Sequence, residues 1–158
     1  SIRYENICIV HTVYALLQYL LLVNRDDYQK TLFFIGLDAI APEVYNNLPN
    51  VVLFDDSKFK SIKRTFWMRL YVFLYYRKVI STAKIYCQDH LYFPSIVVGR
   101  KSYVLLEDGS QIYSRYKTGP LANIDKCNTL IEKFVRAPMY GRTLGRNSQC
   151  EKIYYTFL

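Results

Sequence analysis

The chain has 158 residues, enough for one domain with a sizeable core and too few for two ordinary ones. It is 51% hydrophobic and carries 16 Tyr and 9 Phe, which excludes an intrinsically disordered chain. Lys and Arg outnumber Asp and Glu by 21 to 13, a net charge of +8, so the surface is expected to attract anions; no nucleic-acid signature is present, and an anionic lipid head group, a phosphorylated glycan or a sugar nucleotide answers to the same charge.

Asn6–Val10 reads as a compact strand, and Thr12 can cap a helix running to about Val23. That apolar stretch, interrupted by Gln18, is too short to cross a bilayer. It also lacks the basic flank and cleavage site of a signal peptide, so the cytoplasm is the expected compartment. Asn24-Arg25-Asp26-Asp27 is expected to break the helix. Thr31–Ile35 is a second strand ending at Gly36, after which Asp38 is expected to cap a helix through about Leu48 with Pro42 in its first turn. Pro49-Asn50 reads as a turn and Val51–Phe54 as strand three, ending at Asp55 and Asp56.

A long helical segment follows, from Ser61 to about Ile80. Between Lys58 and Lys78, Lys58, Lys60, Lys63, Arg64, Arg69, Arg77 and Lys78 stand among seven aromatics. One reading puts most of the aromatics in the core and the basic residues on a solvated face. The other is a surface that leans on an anionic membrane or a glycolipid acceptor, since charge near a bilayer contributes roughly 1 kcal/mol per basic residue. Lys84–Cys87 is strand four, ending at Gln88-Asp89-His90; Phe93–Val98 is a short helix and Tyr103–Leu106 strand five. Beyond Gly109 the chain looks looser to Pro120, then helical from about Ile124 to Arg136, with a last strand at Lys152–Phe157. Cys8, Cys87, Cys127 and Cys150 are widely spaced, with no Cys-x-x-Cys pair. Reduced thiols are therefore expected, with no metal and no cofactor.

Strands joined by helical crossovers imply a doubly wound, Rossmann-like, mostly parallel sheet with helices on both faces. Its carboxyl edge would collect His11, Thr12, Asp55, Asp56, Asp89, His90, Glu107 and Asp108. Each has a plainer alternative: Thr12 and Asp89 as helix caps, Asp55 and Asp56 as loop residues, His11 as a packing residue. No glycine-rich dinucleotide fingerprint follows strand one, and neither a Walker sequence nor a Gly-x-Ser-x-Gly elbow is present. The sharpest candidate is Glu107-Asp108-Gly109, where an apolar strand stops at two carboxylates; Asp-Gly is also a common turn dipeptide.

Asn6-Ile7-Cys8-Ile9-Val10-His11-Thr12, with Gln18 in the following helix, resembles the opening of bacterial glycosyltransferase family 52, which includes lipooligosaccharide and capsule sialyltransferases. Lys84–His90 and Glu107-Asp108-Gly109 follow in that family's order. The resemblance implies the amino-terminal, acceptor-side half of a two-domain GT-B enzyme. It makes Glu107 the general base, with Asp108 orienting it or the acceptor; the strand-end residues His11, Thr12, Asp89 and His90, with Gly109 and Ser110 at the turn, are the expected substrate contacts. The implied partners are CMP-sialic acid and a glycan or glycolipid acceptor; apart from the resemblance, the basic, aromatic segment from Lys58 to Lys78 gives peripheral contact with the inner face of an anionic membrane as an expectation, and a homodimer is among the expected assemblies. The family's His-Pro motif, which binds the donor nucleotide, is missing from these residues, so the chain is expected to be a separated amino-terminal domain with little activity alone. Two other readings stand beside this one: a non-catalytic basic interaction module, and a transferase using another nucleotide sugar.

Overall fold

The computed structural model describes residues 3–37, 39–55, 61–89, 92–99, 101–106, 129–131 and 149–154. They form a parallel sheet of six strands: β1 (Asn6–Val10), β2 (Thr31–Gly36), β3 (Val51–Phe54), β4 (Lys84–Cys87), β5 (Tyr103–Leu106) and β6 (Cys150–Tyr154). Between β1 and β5 the described residues form the helices α1 (Val13–Leu22), α2 (Arg25–Gln29), α3 (Pro42–Tyr45), α4 (Ile62–Thr82) and α5 (Tyr92–Val98). The spatial order is β3-β2-β1-β4-β5-β6, the doubly wound arrangement in which strand order reverses between β1 and β4. The expected Rossmann-like α/β fold is therefore present.

The side-chain period of two explains how one short strand serves two cores. In β1, Ile7 and Ile9 join Leu32, Phe34, Ile85 and Leu105 under α4 and α5, while Cys8 and Val10 join Phe33, Ile35, Tyr86 and Val104 under α1 and α3. Every residue of β1, β2 and β5 is buried, as strands covered on both faces must be. Cys8 and Cys87 lie on paired strands but on opposite faces, and neither is in a disulfide.

Four local expectations are revised. Asn24 does not only end α1: its Oδ1 accepts from the Asp27 amide at 2.8 Å and so starts α2, whose first turn carries Asp26 and Asp27 toward the positive end of the helix dipole. The helix expected to reach Leu48 is a single turn ending at Tyr45, after which the chain tightens: Asn47 and Leu48 donate to the carbonyls of Val44 and Tyr45, three residues back. It begins at Pro42 after Ala41; the proposed cap Asp38 lies outside the described residues. The last strand starts at Cys150, two residues before the expected Lys152, and its expected end at Phe157 lies outside the described residues. Leu130 and Ile131 are helical, as expected, while Thr129 before them is a bend; the other residues of the segment from Ile124 to Arg136 are likewise outside, as is Cys127.

The fourth revision concerns α4. A helix on one face of a sheet buries one stripe, and here it is Thr65 and Val72 with Met68, Tyr76, Val79 and Ile80 beside them. Most of the aromatics expected in the core, Phe66, Trp67, Tyr71, Phe73 and Tyr75, are exposed instead.

Candidate functional site at the strand-order reversal

Where strand order reverses, the loops leaving β1 and β4 run to opposite faces, and beyond the carboxyl ends of these two strands is where an open α/β sheet has its crevice. Residues 11, 12, 88 and 89 stand there. Gln88, fully buried, continues the β4 ladder by donating its amide to the Ile9 carbonyl at 3.3 Å. Its side chain then ties the two loops together: Oε1 accepts from the His11 amide at 2.7 Å, and Nε2 donates to Thr12 Oγ1 at 3.2 Å. The same hydroxyl accepts from the Ala15 amide at 3.2 Å, so Thr12 caps α1 as its sequence position suggested. The amino terminus of a ten-residue helix thus borders the crevice with no acidic residue in its first turn.

His11 is half-buried. Its imidazole passes so close to Gly36 that an added Cβ would meet Cδ2 at 2.2 Å, and its ring lies 6.2 Å from that of Phe54. Glycine at the end of β2 is what leaves room for the ring. Phe54 stacks in turn on Phe93 at 4.4 Å, linking the floor of this region to α5.

Asp89 is only 3% exposed. Tyr103, the first residue of β5, donates its hydroxyl to Asp89 Oδ2 at 2.7 Å, and Ser95 Oγ donates to the Asp89 carbonyl at 3.4 Å. Burial, and then the Asp89 charge, push the Tyr103 phenol well above its ordinary range, so it serves as a donor to the carboxylate. What Asp89 contributes to the crevice is the position of the loop between β4 and α5. Gln18, the polar break in α1, donates to the Tyr154 carbonyl at 3.0 Å and fastens the helix to edge strand β6.

The structure thus brings His11 and Thr12 together through Gln88 and sets Asp89 beside them in the next loop. Asp55 is half-exposed after β3, two strands from β1, a separation of roughly 10 Å. Asp56, His90, Glu107, Asp108, Gly109 and Ser110 lie outside the described residues. Gln88 and Tyr103 were not among the residues singled out from sequence; the available signal was an amide side chain directly after an apolar strand, where the neighbouring loop needs both a donor and an acceptor. Among the described residues, no group of three or more His, Cys, Asp or Glu is arranged to hold a metal ion, and no helix is long and apolar enough to cross a membrane.

No family model matches the chain, and no curated protein or solved structure matches it at a significant level.

Proposed function

We propose that this chain is the acceptor-side domain of an inverting GT-B glycosyltransferase that moves sialic acid from CMP-sialic acid to a hydroxyl of a lipooligosaccharide or capsule glycan. The observation that carries the reading is the Gln88 tie at the strand-order reversal, which holds His11, Thr12 and the α1 amino terminus in one polar crevice. Two features of this crevice suit a sugar nucleotide. A helix amino terminus with no acid in its first turn favours the carboxylate or phosphate of such a donor. The His11-Thr12-Val13-Tyr14 sequence has none of the glycines that let a dinucleotide pyrophosphate approach the backbone.

In the proposed reaction the acceptor oxygen forms a bond to the anomeric carbon of sialic acid while the bond from that carbon to the CMP phosphate oxygen breaks. Glu107 takes the acceptor proton, which typically contributes about 10²–10⁴-fold. Glu107 follows directly after Leu106, the last residue of β5, and Asp108 is proposed to orient it. CMP leaves as the phosphate monoester. The motif that would hold its nucleotide, His-Pro, is not in this sequence, so the nucleotide part of the donor pocket is assigned to a second domain.

The test is a donor panel on the enzyme that carries this domain, with released lipooligosaccharide glycans as acceptors. CMP release from CMP-sialic acid that depends on the glycan supports the reading. Turnover of a UDP- or GDP-sugar alone keeps a transferase and overturns the sialic acid assignment, whereas no turnover of any donor overturns the enzyme.

A further inference from the structure

The long helix α4 has a second apolar stripe that the fold does not use. At 100° per residue, Thr65, Met68, Val72, Tyr76 and Val79 face the sheet, and Phe66, Trp67, Leu70, Phe73 and Leu74 form an arc on the opposite side. These five are exposed, from 37% for Leu70 to 61% for Leu74. From Phe66 to Leu74 the stripe covers about 12 Å, a little over two turns of the helix, so it is a continuous ridge rather than an isolated contact. Lys63 and Arg64 stand at one end of it and Arg77 and Lys78 at the other, all exposed. The Arg77 guanidinium lies 5.3 Å from the Phe73 ring centroid, which sets a charge beside the ridge. No Asp or Glu occurs anywhere from Ser57 to Gln88.

We propose that α4 docks this domain on the surface of an anionic lipid bilayer, with the ridge of Phe66, Trp67, Leu70, Phe73 and Leu74 entering the interface and the terminal cations meeting lipid phosphates. Charge and shape select this occupant. A second copy packed ridge to ridge would bring basic helix ends against basic helix ends with no acid on either helix to relieve them, a repulsive arrangement. The ridge is convex and aromatic and is flanked by cations, the pattern of a helix that lies in the plane of a membrane with its apolar face in the headgroup boundary. The inference uses no residue of the proposed catalytic crevice and stands or falls separately from it.

Trp67 is the chain's single tryptophan, and it sits on the ridge at 58% exposure, so its emission reports this surface alone. With vesicles of phosphatidylcholine and phosphatidylglycerol, Trp67 emission is expected to shift to the blue and to be quenched by brominated acyl chains. Pure phosphatidylcholine should give a much smaller response, and about 1 M salt, with a Debye length of about 3 Å, should reverse binding. The exposed substitutions Lys63→Glu, Arg64→Glu, Arg77→Glu and Lys78→Glu together should weaken partitioning by about tenfold or more. Four outcomes overturn the proposal: no blue shift with anionic vesicles, equal binding to neutral and anionic vesicles, a blue shift that grows with protein concentration without lipid, which would mean a second copy, or blue emission from the dilute lipid-free protein, which would mean that the chain covers its own ridge.

Discussion

Replacing Gln88 with leucine keeps the side chain's approximate size and removes both of its described side-chain bonds. The His11 amide loses its acceptor at 2.7 Å and Thr12 Oγ1 loses its donor at 3.2 Å. Because Gln88 is fully buried, solvent does not replace the lost acceptor at that spot. An amide left without its bond costs about 1–3 kcal/mol, and a lost neutral hydrogen bond a further 0.5–1.5 kcal/mol or so. Little cavity is created, so the expected loss is roughly 2–4 kcal/mol. For a chain of this length that corresponds to a fall in Tm of roughly 5–12 °C. Urea unfolding followed by far-ultraviolet circular dichroism measures the loss directly, and an unchanged denaturant slope would show that the denatured state is not responsible. Thr12→Val should cost about 1 kcal/mol through the α1 cap alone, and the double variant should be less damaging than the sum of the two by at least about 0.5 kcal/mol. A Gln88→Leu loss under about 0.5 kcal/mol, or strict additivity with Thr12→Val, would refute the claim that Gln88 ties the two loops.

Gly36→Ala should displace the His11 ring, because the new Cβ would meet Cδ2 at 2.2 Å. A loss of about 1–3 kcal/mol with a shifted His11 side-chain resonance is expected; an unmoved resonance would contradict the described packing. Burial holds the phenols of Tyr19, Tyr76 and Tyr103 above their ordinary range. A raised folded-state pKa keeps its stabilising contribution below the unfolded value and loses it as pH rises, so the contribution of these phenols should be level toward about pH 10 and be lost above it, after that of the buried Cys8 thiol, which is raised in the same direction. Phenolate absorbance should show Tyr19 and Tyr103, the two fully buried phenols, ionising only with unfolding, and their early titration in the native state would refute their burial.

Much of the fold was legible because the strands are apolar runs of four to six residues with helical spacing between them. β1, β3, β4 and β5 fall at the expected boundaries, and Thr12 caps α1 as expected. The misjudged places are those where one residue type serves two purposes. Asn24 both ends one helix and starts the next. The aromatic side chains of α4 are as hydrophobic as core residues, and composition cannot say that the sheet accepts only one stripe of them. Of the site, the sequence pattern pointed to the strand ends and to His11, Thr12 and Asp89. It could not show that Gln88 would make the link between loops 77 residues apart, because that bond depends on β1 and β4 being neighbours. Nor could it show that Asp89 turns to Tyr103, a contact made through the interior across 14 residues.

The proposed glycosyl transfer with Glu107 as base is tested most directly by kcat for sialyl transfer by the enzyme containing this domain, compared between wild type, Glu107→Gln and Asp108→Asn. Glutamine keeps the size of Glu107 and removes its basicity, so kcat should fall by roughly two orders of magnitude or more while folding is preserved; Asp108→Asn should be milder. Near-normal turnover in Glu107→Gln with none in Asp108→Asn would move the base to Asp108, and full activity in both variants would contradict the catalytic account.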